Sequence, residues 1–412
     1  MEAKEKNMST LQGEIALTGF TIPGRVINLD QARVRHGDKA DHMVRMLAVG
    51  DPLADAVIVE MDALGKEGRR ILNAGLADGL ESLTEHPPAI TALLEQLETM
   101  PAWVDPDMPE RGEVAALSVS PFWYRLSAIS SALVHTYASP AIARLLTQTG
   151  RLTTMAPRRL AETGMWAGEA TMPGGLLRGA PGYQATAQVR LLHARMRSSA
   201  IKHGWDTAEW GVPISQVDVA RTWLDFTLTP FQALAALGIE LTQAEQNCLY
   251  QYWHYIAYLL GLEDDSFYRA VTDHDSAQEL RHLLDLTIAP PDENSRALTA
   301  AMVGAQGNLL ASAPQPLMPS AEFSDLIHGI LRRSFGDDRA DQLGIPVSSA
   351  APFLVMIALA NSEARRWQTF TPQSAALALH ENTAARMSDG GSARIPGGPT
   401  YQQHALTGTV GG

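Results

Sequence analysis

From Asp51 onward apolar side chains return every three or four positions, the period of a helix that buries one face. The period is clear in DPLADAVIVEMDALG and GRRILNAGLADGLESL. It resumes at Pro88, which opens AITALLEQLETM where a missing backbone N–H costs nothing. Over 111–147 the pattern breaks at Pro121 and Pro140, which predicts two or three helices with an aromatic face at Phe122, Trp123 and Tyr124. Further helical segments are predicted over about 264–288, 293–312, 320–336, 347–362 and 371–387, with Pro290, Pro291 and the APQP at 313–316 as breaks. Alternation of β-branched residues never persists, and no repeat of solenoid length is present. The pattern predicts one large all-α domain.

One helix organises the rest, read over 184–205 (QATAQVRLLHARMRSSAIKHGW). Arg190, His193 and Arg197 stack along one stripe, and Val189, Leu192, Met196 and Ala200 form an adjoining apolar one. A neutral imidazole there suits a metal or cofactor, and two guanidiniums suit anionic groups. A core histidine bonded to a carbonyl, flanked by salt-bridged arginines, fits the same spacing. Both readings stay open at this point.

A second stretch, RLTTMAPRRLAETGM at 151–165, places Arg159, Glu162 and Thr163 on one face if it is helical after Pro157. A solvated Arg/Glu pair with a back-bonded threonine fits equally. The Gly/Pro-rich 168–183 must connect the two helices as a loop, a lid or pocket wall, and it matches neither GxGxxG nor a P-loop. Downstream, Ser215 with Asp218 and Thr242 with Glu245 read as capping boxes, with Gly238 and Gly261 near helix ends.

Composition narrows the class. The chain has 412 residues, 45% hydrophobic and 19% charged, enough for a sizeable core. Its net charge of -13 argues against nucleic acid as a partner. The single cysteine, Cys248, lies in an apolar helical pattern and reads as a small buried hydrophobe. No apolar run is long enough to span a bilayer, and the N-terminus carries no secretory pattern. The chain as written therefore reads as cytoplasmic, or as secreted were a leader removed. Residues 1–45 read as an N-terminal arm, 46–387 as the helical domain and 388–412 as a flexible Gly-rich tail. HExxH and GxSxG are absent, which sets aside common hydrolases.

The strings VRLLHARMR, GWD, WGVPISQVDVARTW and YWHYIAYLLGL, with DPLADAV at 51–57, PAWVD at 101–105 and RRLAETG at 158–164, resemble the latex-clearing protein family of haem b rubber oxygenases. The resemblance runs over about 50–270. It implies a globin-like haem-binding helical core with added helices. It also implies haem b as cofactor, with His193 as axial iron ligand, and Arg190 and Arg197 beside the haem propionates. On the distal side the family's RxxKT pattern falls on Arg159 and Thr163, and Glu162 stands where rubber-cleaving members have lysine. Glu162, Arg159 and Thr163 are therefore the expected catalytic residues. The family's upstream distal glutamate falls on Ala143 by ungapped count and is not transferred. The implied reaction is dioxygenation of C=C bonds of poly(cis-1,4-isoprene) to aldehyde and ketone ends, with O2 and an apolar alkene as partners and a monomer as the working unit. A smaller soluble isoprenoid as substrate, or a haem sensor or carrier without turnover, are the alternatives.

Overall fold

The computed structural model describes residues 21–147, 152–262, 267–313, 315–389 and 399. The tail predicted at 388–412 lies outside them except for the last turn of a helix and Pro399. Among the described residues the protein is all-α, with one isolated bridge between Val26 and Ile288 and no strand.

The helices follow the apolar period. In chain order they are α1 (Leu29–His36), α2 (Asp38–Met46), α3 (Pro52–Leu64), α4 (Lys66–Asp78), α5 (Pro88–Glu98) and α6 (Met108–Leu117). Next come α7 (Ser130–Tyr137), α8 (Pro140–Thr147), α9 (Leu152–Ala170), α10 (Pro181–Lys202), α11 (Gln216–Asp225) and α12 (Leu228–Ala236). The series ends with α13 (Gln243–Leu259), α14 (His274–Leu286), α15 (Glu293–Ala311), α16 (Ser320–Phe335), α17 (Ala351–Phe370) and α18 (Pro372–Asp389). Both predicted capping boxes are present, on α11 and α13, each contributing on the order of 1 kcal/mol. Gly238 and Gly261 sit at helix ends with φ of 76°.

The central element is α10. It packs against α3, α9 and α13, and every residue from 182 to 200 is buried or half-buried. A helix covered on all sides belongs to the core. The expected apolar stripe is displaced: Val189, Leu192 and Met196 are half-buried, while Ala187, Leu191 and Ala194 are fully packed. Also packed against α9 is α15.

In three places the structure adds to the sequence reading or differs from it. Part of the predicted arm is ordered helix, because Ala32, Ala40, Met43 and Val44 bury against the core despite their polar neighbours. Pro157 does not start α9 but lies inside it. One i→i−4 bond is lost there, and packing of α9 against α10 and α15 compensates. The aromatic face at 122–124 leads into a π-helical turn, Tyr124–Ile129, that continues into α7.

Candidate functional site

The site is built from α10 outward. His193 is surrounded by protein yet keeps accessible surface, the combination expected of a side chain lining an internal space. Its Nδ1 is buried without a hydrogen-bond partner. Burial, reinforced by the positive charge of Arg197, lowers its pKa to about 4, and Asp51 opposes this only in part. The imidazole is therefore neutral at pH 7 and has a lone pair to donate.

One turn before it, Arg190 is fully committed. Its Nε donates to Asp51 Oδ2 at 2.6 Å, Nη2 to Asp51 Oδ1 at 3.0 Å and Nη1 to Gln96 Oε1 at 2.5 Å. One turn after His193, Arg197 Nε donates to both oxygens of Asp55 at 2.9 and 3.0 Å, and Nη1 donates to the Ile214 carbonyl at 2.7 Å. Asp51 is the N-cap of α3 and Asp55 lies one turn into it, so two ion pairs clamp α10 to α3 on either side of His193. These are the two arginines expected beside the haem propionates or their neighbours. Each guanidinium already has a carboxylate of its own chain, and Arg190 has no nitrogen left. Arg197 retains one buried, unpartnered nitrogen, Nη2.

The clamp explains motifs that carried no role in the sequence. Gln216, from WGVPISQ, donates from Nε2 to the carbonyls of Gly50 at 2.8 Å and Gly261 at 3.0 Å. A Cβ on Gly261 would collide with Asp51 and Arg190, and one on Gly50 with Arg197. Both glycines are therefore demanded by the ion pairs. Ile214 holds φ at 52°, a strained value for a β-branched residue, while its carbonyl receives Arg197. Asp51, Asp55, Gln216 and the two glycines were missed as site residues. For all but Gly50, which had none, the only signal was membership in the matching strings, because the partners lie 139 and 142 positions apart.

The expected catalytic residues Arg159, Glu162 and Thr163 all lie on α9, which packs against α10. Glu162 is buried and receives a hydrogen bond from Arg158 Nε at 2.8 Å. Arg159 bonds the phenol of buried Tyr137. Thr163 is half-buried, and Ala143 is fully buried on α8. The structure brings α9 against α10 through Trp166, whose Nε1 donates to Thr186 Oγ1 at 3.0 Å. Among the described residues no hydrogen bond joins Arg159, Glu162 or Thr163 to the His193 ring.

Other buried titratable groups lie apart from this clamp. His135 touches Asp225 at 2.9 Å, and Arg281 pairs with the same carboxylate, so the buried charges of Arg281 and Asp225 offset one another. His254 is enclosed by Trp103, Trp223 and Tyr268. Among the described residues no three His, Cys, Asp or Glu side chains gather as a metal site.

The structure is an all-α body whose central helix carries one neutral histidine, unpartnered at Nδ1. The catalytic-domain family described as ER-bound oxygenase mpaB/B'/rubber oxygenase matches residues 76–363, most of the chain, and the protein belongs to that oxygenase family. The solved structure of latex clearing protein LCP in the closed state superposes with a TM-score of 0.62 at 18% identity, covering 83% of this chain and 90% of that one. No curated protein sequence matches. No helix among the described residues is long and apolar enough to cross a membrane.

Proposed function

We propose that the protein is a haem b-dependent oxygenase that cleaves C=C bonds of an apolar isoprenoid, and that His193 is the side chain that would hold the haem. The observation that carries this reading is the His193 ring itself: neutral, deep in the core, unpartnered at Nδ1 and fixed by ion pairs one turn away on each side. A bare metal ion needs three or four protein donors, whereas a porphyrin brings four nitrogens and asks the protein for one. The donor set fits the second case.

When bound, haem supplies the oxygen chemistry. The chain supplies the setting. His193 donates its lone pair, and the burial that lowers its pKa keeps it from being protonated. The buried, unpartnered Nη2 of Arg197 would offer a donor to a carboxylate of the cofactor. Glu162 stands buried on α9 as a carboxylate able to hold or pass a proton, with Arg158 orienting it. Trp166 packs edge to face on Phe226 and Trp253, which stack on each other, and makes that end of α9 apolar.

Polyisoprene is the substrate the resemblance implies. A smaller, soluble unsaturated substrate is favoured by Glu162, which replaces the lysine of the rubber-cleaving pattern. Oxygen uptake by the purified holoprotein on polyisoprene latex and on a soluble isoprenoid separates the two. Uptake on neither, with haem bound, leaves a sensor or carrier and refutes the oxygenase reading.

A further inference from the structure

We propose that α17 is a dimerisation helix: it pairs with α17 of a second copy of this chain, antiparallel about a two-fold axis that passes beside Asn361 and Ser362. The inner face of α17 is already committed to the body. Leu354, Ala358 and Arg365 are buried, Asn361 Nδ2 donates to the Leu237 carbonyl at 3.0 Å, and Arg365 pairs with Glu245. The helix is thus a fixed platform for whatever it turns outward.

The outward face is apolar, where the solvated face of a surface helix is polar. Phe353, Met356, Trp367 and Phe370 are 69%, 65%, 63% and 75% exposed. With Ala360 and Glu363, also exposed, they recur at alternating spacings of three and four, the a and d positions of a heptad stripe. Such a stripe is the seam by which one helix packs on another. Trp367 and Phe370 already form one block, edge to face with ring centres 5.8 Å apart.

The order of residues along the stripe says which helix fits it. Turned end for end about its middle, the stripe sets Phe353 against Phe370 of the second copy, Met356 against its Trp367 and Ala360 against its Glu363. Large apolar side chains meet toward both ends, and the small Ala360 leaves room for the Glu363 side chain near the axis. Glu363 brings no orphan charge, because Arg366 of its own helix lies 3.4 Å away. One paired Glu and Arg leave this face neutral on a chain of net charge -13, so two copies approach there with least repulsion. An anionic lipid surface would find no excess of basic residues on it. Covering Phe353, Met356, Leu359, Trp367 and Phe370 buries roughly 600–700 Å² on each copy, close to the about 800 Å² per partner of a standard interface. A two-fold contact closes on itself, so association stops at a dimer, in place of the monomer that the resemblance implies.

Sedimentation velocity of the full-length protein over a range of concentrations, with far-UV circular dichroism to confirm folding, tests the pairing. The wild type is expected to sediment as a dimer of 44.5 kDa chains. Met356→Glu or Trp367→Lys, each placing an unpaired charge in the seam, should weaken the dimer at least about a hundredfold without loss of helicity. An equal mixture of the two variants should regain a dimer, because the antiparallel register sets the introduced carboxylate against the introduced ammonium. A wild type that stays monomeric, a dimer that survives Trp367→Lys, or a mixture of the two variants that stays monomeric overturns the proposal. So does wild-type protein that floats as a monomer with phosphatidylcholine vesicles, which gives the face to lipid. A dimer that forms only once residues 390–412 are deleted gives the face to the chain's own tail and overturns it as well.

Discussion

Arg190 grips both carboxylate oxygens of Asp51, at 2.6 and 3.0 Å, and so ties the turn before His193 to the first turn of α3. Both side chains are at least nine-tenths buried, with exposures of 4% and 10%. Removing one member leaves the other charged and unpaired in the core.

Asp51→Ala is therefore expected to cost about 3–5 kcal/mol of stability. It should also weaken haem retention, because α10 loses one of its two anchors. Denaturant unfolding and haem titration check this. Adding Arg190→Met to Asp51→Ala should recover part of the loss, since no orphan charge remains.

Gly261→Ala introduces a Cβ into the same ion pair at a φ of 76°. Gly65→Ala provides the control, with φ of 62° and open space around the added atom. The control should cost about 1–2 kcal/mol from backbone strain alone. Gly261→Ala should cost distinctly more by thermal unfolding, and equal losses would remove the steric argument.

Acid should destabilise the fold through its buried histidines. His135, His193 and His254 each have a folded pKa of about 4, lowered chiefly by burial, against an ordinary value of 6.5. Between those values the unfolded chain binds more protons, so stability is full above pH 6.5 and falls as pH drops toward 4. Each histidine contributes a slope of up to about 1.4 kcal/mol per pH unit in that window. His254→Gln should flatten the measured slope by one such share.

Glu162→Gln keeps size and hydrogen bonding but removes proton transfer. Turnover should drop about a hundredfold with haem content unchanged. An unaltered rate would assign Glu162 to anchoring Arg158 instead.

Local rules in the sequence reached much of this fold. The period of apolar residues located most of the helices from α3 to α18, although 215–238 read as one helix where the structure has α11 and α12; Ser215/Asp218 and Thr242/Glu245 marked two helix starts, and Pro88 marked another. Tertiary effects escaped it. The helices α1 and α2 have few apolar residues, and only the neighbouring core shows that those few are buried. Pro157 signals a helix start locally, and its place inside α9 depends on packing against α10 and α15. His193 was legible as a candidate ligand. Its supports were not, because Asp51 and Asp55 meet Arg190 and Arg197 only through the fold.

The central claim is that His193 holds the cofactor, and the visible absorption spectrum of His193→Gly with and without added imidazole tests it most directly. The account predicts a folded protein that lacks a Soret band and regains one when imidazole fills the vacated ring position. A His193→Gly protein that retains full haem with the wild-type spectrum would contradict it.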